Sequence, residues 1–173
     1  MAGERLYLAG NWVRPTTAAP VKQPTGAAAI RTQLQIATSS TQGIKVVEWG
    51  ISFDGSAAAT PILVEFFNCT GAATMSTALA AADISRISDP LGTETIPLQY
   101  STALSAFATA AVTEGTVANY YAYDVQLIAP TSQYVKQWPL GREPSAALST
   151  FLRIRTTAPA AVNCLCYVIF GPS

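Results

Sequence analysis

The chain has 173 residues, of which 50% are hydrophobic and 12% charged, and its ten basic and ten acidic residues give a formal net charge of zero. This length suffices for one domain with a buried core, and the balanced charge argues against nucleic-acid and anionic-membrane partners, which need positive surface. Soluble monomers usually carry about a quarter of their residues as charges, so the charge deficit predicts that other subunits cover part of the surface. The alternative is a compact monomer coated with Thr, Ser, Gln and Ala.

The first 28 residues differ from the rest of the chain and predict an extended N-terminal arm, 1–28, ahead of a β-sandwich domain, 29–173. Pro15, Pro20 and Pro24 resist both helix and sheet. Apolar anchors nevertheless gather near the start, at Leu6, Tyr7, Leu8, Trp12 and Val13. Because disordered tails seldom carry such a cluster, the arm is predicted to dock onto this subunit's own core or onto a neighbour, and we expect a neighbouring subunit. One basic residue and no long apolar run in residues 1–10 predict no signal peptide.

From residue 30 the pattern predicts strands. Arg31–Ile36 alternates polar and apolar residues, and Ile44–Phe53 and Ile62–Phe67 are the two clearest strands. Asp54-Gly55 favours a turn, so the two clear strands are predicted to form an antiparallel pair, although residues 54–60 allow a longer loop. Their apolar positions predict one core between two sheets, made of Val47, Trp49, Ile51, Phe53, Ile62, Val64 and Phe66.

The middle of the chain, residues 70–115, is ambiguous because alanine-rich segments are interrupted by Pro and Gly. We expect long loops with one or two short strands or helical turns, such as Thr95–Gln99. Strands resume at Tyr121–Ile128, where Tyr121, Tyr123, Val125 and Leu127 share a face. Ser132–Trp138, Thr150–Thr156 and Val162–Phe170 complete the set, and the last, apolar on both faces, predicts a central strand. The fold class is therefore all-β: a jelly-roll-like β-sandwich of about eight antiparallel strands with long loops and an extended N-terminal arm.

Catalytic and metal-binding signals are weak. The chain contains no histidine, which excludes Ser-His-Asp or Cys-His catalysis and histidine metal ligands. Cys69, Cys164 and Cys166 are too few for a disulfide framework or for a zinc site, and the last two share one face of a strand as small buried hydrophobes. We expect no catalytic residue, no metal, no cofactor and no enzymatic activity.

One polar cluster stands out, the segment Trp138-Pro-Leu-Gly-Arg-Glu-Pro144. Pro139 and Gly141 favour a tight turn. Exposed Trp and Arg are enriched at binding hot spots, so Trp138 and Arg142 are also candidate contact residues. The two interpretations are compatible.

Several stretches resemble a group of small virion proteins of tailed bacteriophages: Val47–Gly55, Pro61–Phe67, Trp138–Pro144 and Thr157–Phe170. The similarity spans roughly residues 30–170. It implies a jelly-roll capsid decoration or cement protein on the outside of a phage head, made in the host cytoplasm. Such a protein binds the major capsid protein and forms a homotrimer or a dimer, without nucleic-acid or membrane partners. The predicted protein-interface residues are Leu6, Tyr7, Leu8, Trp12, Trp138 and Arg142.

Two other functions remain open. A tail or baseplate structural subunit would share the fold and the arm. A carbohydrate-binding β-sandwich module would need aromatic side chains on a face or loop, which Tyr120, Tyr121, Tyr123, Tyr134 and Trp138 could supply.

Overall fold

The computed structural model describes residues 5–12, 19–56, 60–80, 83–87, 100–107 and 112–173. This part of the chain forms an all-β sandwich of two antiparallel sheets without an α-helix, which confirms the predicted class. No helix of the described ranges is long and apolar enough to cross a membrane. The strands are β1 Tyr7–Gly10, β2 Gln23–Pro24, β3 Ala29–Thr38, β4 Ile44–Phe53, β5 Ile62–Cys69, β6 Thr77–Ala78, β7 Ser85–Arg86, β8 Tyr100–Phe107, β9 Tyr121–Ile128, β10 Gln133–Gln137, β11 Ser145–Ala146, β12 Phe151–Ala158 and β13 Asn163–Pro172.

Each sheet follows one path of neighbouring strands. Sheet A has the order β10-β4-β13-β1-β7, with β11 beside β4 and β2 beside β13. Sheet B has the order β6-β8-β3-β12-β5-β9. The apolar β13 lies between β4 and β1, as predicted for a strand that is buried on both faces.

Eight of the strands pair in a nested order. The first four of these strands along the chain are β1, β3, β4 and β5, and the last four are β9, β10, β12 and β13. Each strand of the first group pairs with one strand of the second. The first pairs with the last, β1 with β13, and inside that pair come β3 with β12, β4 with β10, and β5 with β9. Because these pairs alternate between the sheets, the chain crosses from one sheet to the other at most of its turns.

The predicted antiparallel pair of Ile44–Phe53 with Ile62–Phe67 is wrong. The first strand is β4 in sheet A and the second lies within β5 in sheet B. The connection crosses the sandwich, and the Gly55 N–H donates to the Pro130 carbonyl at 2.7 Å, in the loop between β9 and β10. Both strands carry a long apolar face, so burial is satisfied by stacking the sheets as well as by pairing the strands.

The core lies between the sheets. Six of the predicted core residues are buried there: Trp49, Ile51, Phe53, Ile62, Val64 and Phe66. Val47 is only half-buried, because the register of β4 with β13 shifts between Ile169 and Phe170 and Val46 faces the core in its place. A β-bulge moves one residue out of the alternation, and the strand pattern alone did not reveal it.

The N-terminal segment is extended, but its described residues lie in this chain's own sheet. β1 pairs with β13 on one side and with β7 on the other. Tyr7 is 1% exposed and its ring centroid lies 5.9 Å from that of Phe170. Tyr7 and Ala9 alternate into this chain's own core, where β13 offers them an edge to pair with. The packing of Leu6, Leu8 and Trp12 on a neighbouring subunit stays a prediction.

The ambiguous middle contains β6, β7 and β8, whereas Thr95–Gln99 lies outside the described residues. The alanine-rich stretch that starts at residue 100 is a strand, β8, which pairs with β3. Alanine favours helices when nothing else competes; here the ladder partner that β3 offers overrides that weak preference.

Candidate functional site

Four strands lie at the ends of the two sheets, β10 and β7 in sheet A and β6 and β9 in sheet B, and they differ in length and in charge. β6 and β7 have two residues each, and β7 contains Arg86. β10 has five residues and carries Lys136 between glutamines 133 and 137. β9 is the exception, with eight residues and a mostly apolar sequence.

The apolar face of β9 points outward. Leu127 is 72% exposed, Tyr121 66% and Val125 47%, while Asp124 and Ile128 face the interior. The prediction that Tyr121, Tyr123, Val125 and Leu127 share a face holds for Val125 and Leu127. Tyr121 and Tyr123 depart from it because the register with β5 shifts between Phe66 and Phe67: Tyr121 lies opposite Asn68 with its ring 5.5 Å from that of Tyr123, and the Tyr123 ring packs 5.6 Å from that of Phe66.

Asp124 links β9, at the end of sheet B, to β10, at the end of sheet A. Its carboxylate accepts a hydrogen bond from the Tyr134 hydroxyl at 2.9 Å and one from the Gln126 amide at 2.8 Å. The Lys136 ammonium lies 3.7 Å away. Burial, together with the Asp124 carboxylate, raises the pKa of Tyr134 to about 12. The one charge within β9 is therefore satisfied inside the protein, and its outer face remains uncharged.

The segment 138–144 forms a turn, as predicted. The Arg142 N–H donates to the Pro139 carbonyl at 3.0 Å, and Gly141 has a φ of 80°, as the third residue of a type II turn requires. Trp138 is half-buried, with its ring 6.2 Å from that of Phe66 and the Lys136 ammonium 5.7 Å above it. Arg142 is exposed. Trp138 therefore packs towards the core at the start of the turn, between the Phe66 ring and the Lys136 ammonium.

The most exposed apolar side chain of this turn is Leu140, which is 85% exposed at the tip. Sequence reasoning missed it. Its position between Pro139 and Gly141 is the signal that could have found it, because the second residue of a type II turn points away from the turn. We define the open-edge surface as the side of the sandwich where β9 and β10 end the two sheets, including this turn after β10; its exposed apolar side chains include Tyr121, Val125, Leu127 and Leu140.

Of the predicted N-terminal interface residues, Leu6, Tyr7 and Leu8 lie in or next to β1, with β13 and β4 between them and β10. Tyr7 is buried, and Leu6 and Leu8 are half-buried. Trp12 lies over Gly10, where a Cβ would meet the indole ring at 2.2 Å. The structure does not bring these four residues together with Trp138 and Arg142.

Trp12 does line a cavity of about 230 Å³ on the outer face of sheet A, with Val135, Leu165 and Tyr167 among its other walls. The Tyr167 ring lies over Gly50, where a Cβ would come within 2.6 Å of it. Its hydroxyl donates to Glu48 at 2.6 Å. Burial, together with the Glu48 carboxylate, raises the pKa of Tyr167 to about 12.

A cluster of charges lies on the outer face of sheet B and is internally paired. Arg153 is fully buried; its guanidinium donates to Thr32 Oγ1 at 2.6 Å and forms an ion pair with Glu114. Arg155 holds Glu65 by two hydrogen bonds of 2.8 and 2.9 Å. The cluster fastens the segment before β9 to the sheet.

The three cysteines, Cys69, Cys164 and Cys166, are buried and form no disulfide. No group of three or more His, Cys, Asp or Glu side chains in these ranges could hold a metal ion. Burial raises the pKa of the Cys164 thiol to about 12 and raises that of Cys166 well above its usual value. Both thiols stay protonated at neutral pH, and a protonated thiol is a poor nucleophile and a poor ligand.

No family model, no curated protein and no solved structure matches this chain.

Proposed function

We propose that the chain is a structural subunit of a protein shell: a capsid decoration protein that binds the outside of a phage head and stabilises contacts between major capsid subunits. The observation that carries this proposal is the open-edge surface. Four large apolar side chains, Tyr121, Val125, Leu127 and Leu140, are between 47% and 85% exposed on one side of the sandwich. Such a surface favours contact with another protein.

The strand order supports a jelly roll as the finer description of the fold. Nested pairing from the first strand to the last, divided between two facing sheets, is the order of a double Greek key. That architecture recurs in viral capsid proteins and also in lectins. Together with the resemblance of the strand-and-turn stretches described above, it favours a virion protein.

A cement protein stabilises a shell because opening the shell must also separate the surfaces that the cement protein buries. Uncharged apolar contacts suit this task, since salt in the medium screens them little. The proposed partners are the major capsid protein and further copies of this chain, as a trimer or a dimer, on the virion surface. The proposed role includes no enzymatic activity and no nucleic-acid or membrane partner.

The proposal is tested by co-sedimentation with expanded empty heads of a tailed phage that were assembled without a decoration protein. We expect the wild-type chain to sediment with the heads and to raise their melting temperature. Leu140→Asp should weaken binding at least tenfold, because it places a charge at the tip of the contact turn. Val21→Asp is the matched control: Val21 is 70% exposed but lies outside the open-edge surface, so binding should not change.

Sedimentation with purified tails and not with heads would replace the decoration role by the tail or baseplate alternative. Glycan binding receives less support from the geometry. Three of the five aromatic residues that it would need, Tyr123, Tyr134 and Trp138, pack against the core. Tyr120 donates its hydroxyl to Glu65 at 3.0 Å, which leaves Tyr121 as the most exposed ring.

A further inference from the structure

The edge of β9 is longer than those of β6 and β7 and, unlike that of β10, carries no lysine; its protection is limited to one bulge and the inward-pointing Asp124. An edge strand presents unpaired N–H and C=O groups, and proteins usually blunt it with a short strand, a lysine, a proline or a bulge. β6 and β7 are short, and β10 carries Lys136. β9 contains neither lysine nor proline. Its one bulge lies opposite Phe66 and Phe67, at the Tyr123 end, and leaves a regular ladder from Asp124 to Ile128.

We propose that this edge pairs with the same edge of a second copy about a two-fold axis, so that two copies of sheet B form one continuous sheet. The inference rests on the proposed function only in that both require contacts between subunits. An antiparallel pair of identical strands is self-complementary, as a two-fold interface demands. Its main-chain hydrogen bonds satisfy the groups that the isolated edge leaves to water.

The register that fits best is centred on Gln126. It places Val125 of each copy opposite Leu127 of the other on the outer face. Cross-strand pairs of this kind stabilise a sheet by about 0.2–1 kcal/mol each relative to alanine. Both side chains, 47% and 72% exposed in the single chain, would then be covered.

Charge identifies a second copy as the occupant. The outer face of β9 is uncharged, and Asp124 is held inside by Tyr134 and Lys136. In the register centred on Gln126, each Asp124 lies opposite an Ile128, so the two carboxylates do not meet. A charged partner strand would find no opposite charge on β9, whereas a second β9 finds a matching neutral face.

The experiment measures the mass in solution by light scattering, with no capsid present. We expect the wild-type chain at micromolar concentration to show twice the chain mass of 18.2 kDa. Leu127→Lys should return the mass to that of one chain, because the two-fold axis brings the new charge into the contact twice. Val135→Lys is the matched control: it makes the same kind of change at a 54% exposed position on the β10 edge and should leave the dimer intact. Circular dichroism checks that both variants are folded.

A cross-link tests the register. Residues opposite each other in an antiparallel pair have Cα atoms about 4.5–5.5 Å apart, within the range that a disulfide spans. Gln126→Cys should therefore give a dimer band on a non-reducing gel after mild oxidation. Gln133→Cys, on the β10 edge, should not. The native thiols are buried and do not interfere.

A monomeric wild-type chain, or a mass that Leu127→Lys leaves unchanged, would overturn the inference. The two proposals fail separately. A monomer that sediments with phage heads removes the β9 dimer and keeps the decoration role, whereas a dimer that binds no heads does the reverse.

Discussion

At Trp49, packing against neighbouring rings outweighs the need of the side chain for a hydrogen-bond partner. Its side chain is fully buried, with ring centroids 5.3 Å from Phe66 and 5.4 Å from Tyr134. Its indole N–H has no hydrogen-bond partner among the described residues. Leaving a buried donor unpaired costs about 1–3 kcal/mol, so the burial of the large indole together with its ring contacts must outweigh that cost.

At the same scale, the ion pair of Glu65 with Arg155 makes stability depend on pH. Burial raises the pKa of the Glu65 carboxyl, but the hydrogen bonds and charge of Arg155 outweigh burial and hold it below the usual 4.5. A carboxyl whose pKa is lowered by folding stabilises the protein above its unfolded pKa and loses that contribution as the pH falls through the folded value.

We therefore expect Glu65→Gln to lower the urea midpoint at pH 7 and to approach the wild-type midpoint as the pH falls below about 4. The measurement is urea unfolding followed by tryptophan fluorescence at several pH values. Arg155→Met removes the partner that lowers the pKa and should flatten the same pH dependence. A gap between wild type and Glu65→Gln that stays constant down to pH 3 would contradict this account.

At the scale of elements, strands were predictable from local pattern. The predicted bounds of β3, β4, β5, β9, β10, β12 and β13 agree with the structure within two residues, because a strand with one buried face alternates with a period of two. β8 was not predicted as a strand, since small alanine side chains leave little alternation to detect. Pairing partners were not predictable either, because a strand pattern shows which face is buried but not which strand lies beside it.

β1 shows what pairing decides at this scale. Its four residues sit between β13 and β7 and place Tyr7 in the core. We expect Tyr7→Ala to lower the free energy of unfolding by about 3–5 kcal/mol, as for other large aromatic side chains truncated in a core. Val21→Ala, at a 70% exposed position, should change it by less than about 0.5 kcal/mol.

Urea unfolding of the full chain measures both changes. If Tyr7→Ala melts like wild type while losing its binding to heads, the N-terminal segment acts on a neighbouring subunit after all. In that case, the contact with Phe170 contributes little to this domain.

At the scale of the whole molecule, the nested pairing makes folding depend on contacts between distant parts of the chain. The outermost pair joins β1 with β13, so Tyr7 lies opposite Phe170. Domains dominated by such non-local pairs fold slowly, in milliseconds to seconds, because the cost of closing long loops precedes the gain from the contacts.

We expect the main refolding phase after dilution from urea to fall in that millisecond-to-second range, measured by stopped-flow tryptophan fluorescence. We also expect a chain that ends at residue 160 to show no cooperative unfolding, because β13 is the centre of sheet A. Folding in microseconds, or cooperative melting of the shortened chain, would contradict the nested pairing.

The sequence by itself determined the all-β class, most of the strands and six of the seven predicted core residues, because alternation and turn residues are local signals. It also placed Trp138 and Arg142 in a turn that is part of the open-edge surface. Only the tertiary structure decided that the apolar face of β9 points to solvent, that Leu140 is the exposed tip, and that Tyr7 belongs to the core. The sequence pattern of an apolar strand face is the same whether a second sheet, a neighbouring subunit or solvent lies over it. Within the chain, the element that covers such a face comes from a distant part of the sequence, so local pattern does not identify it.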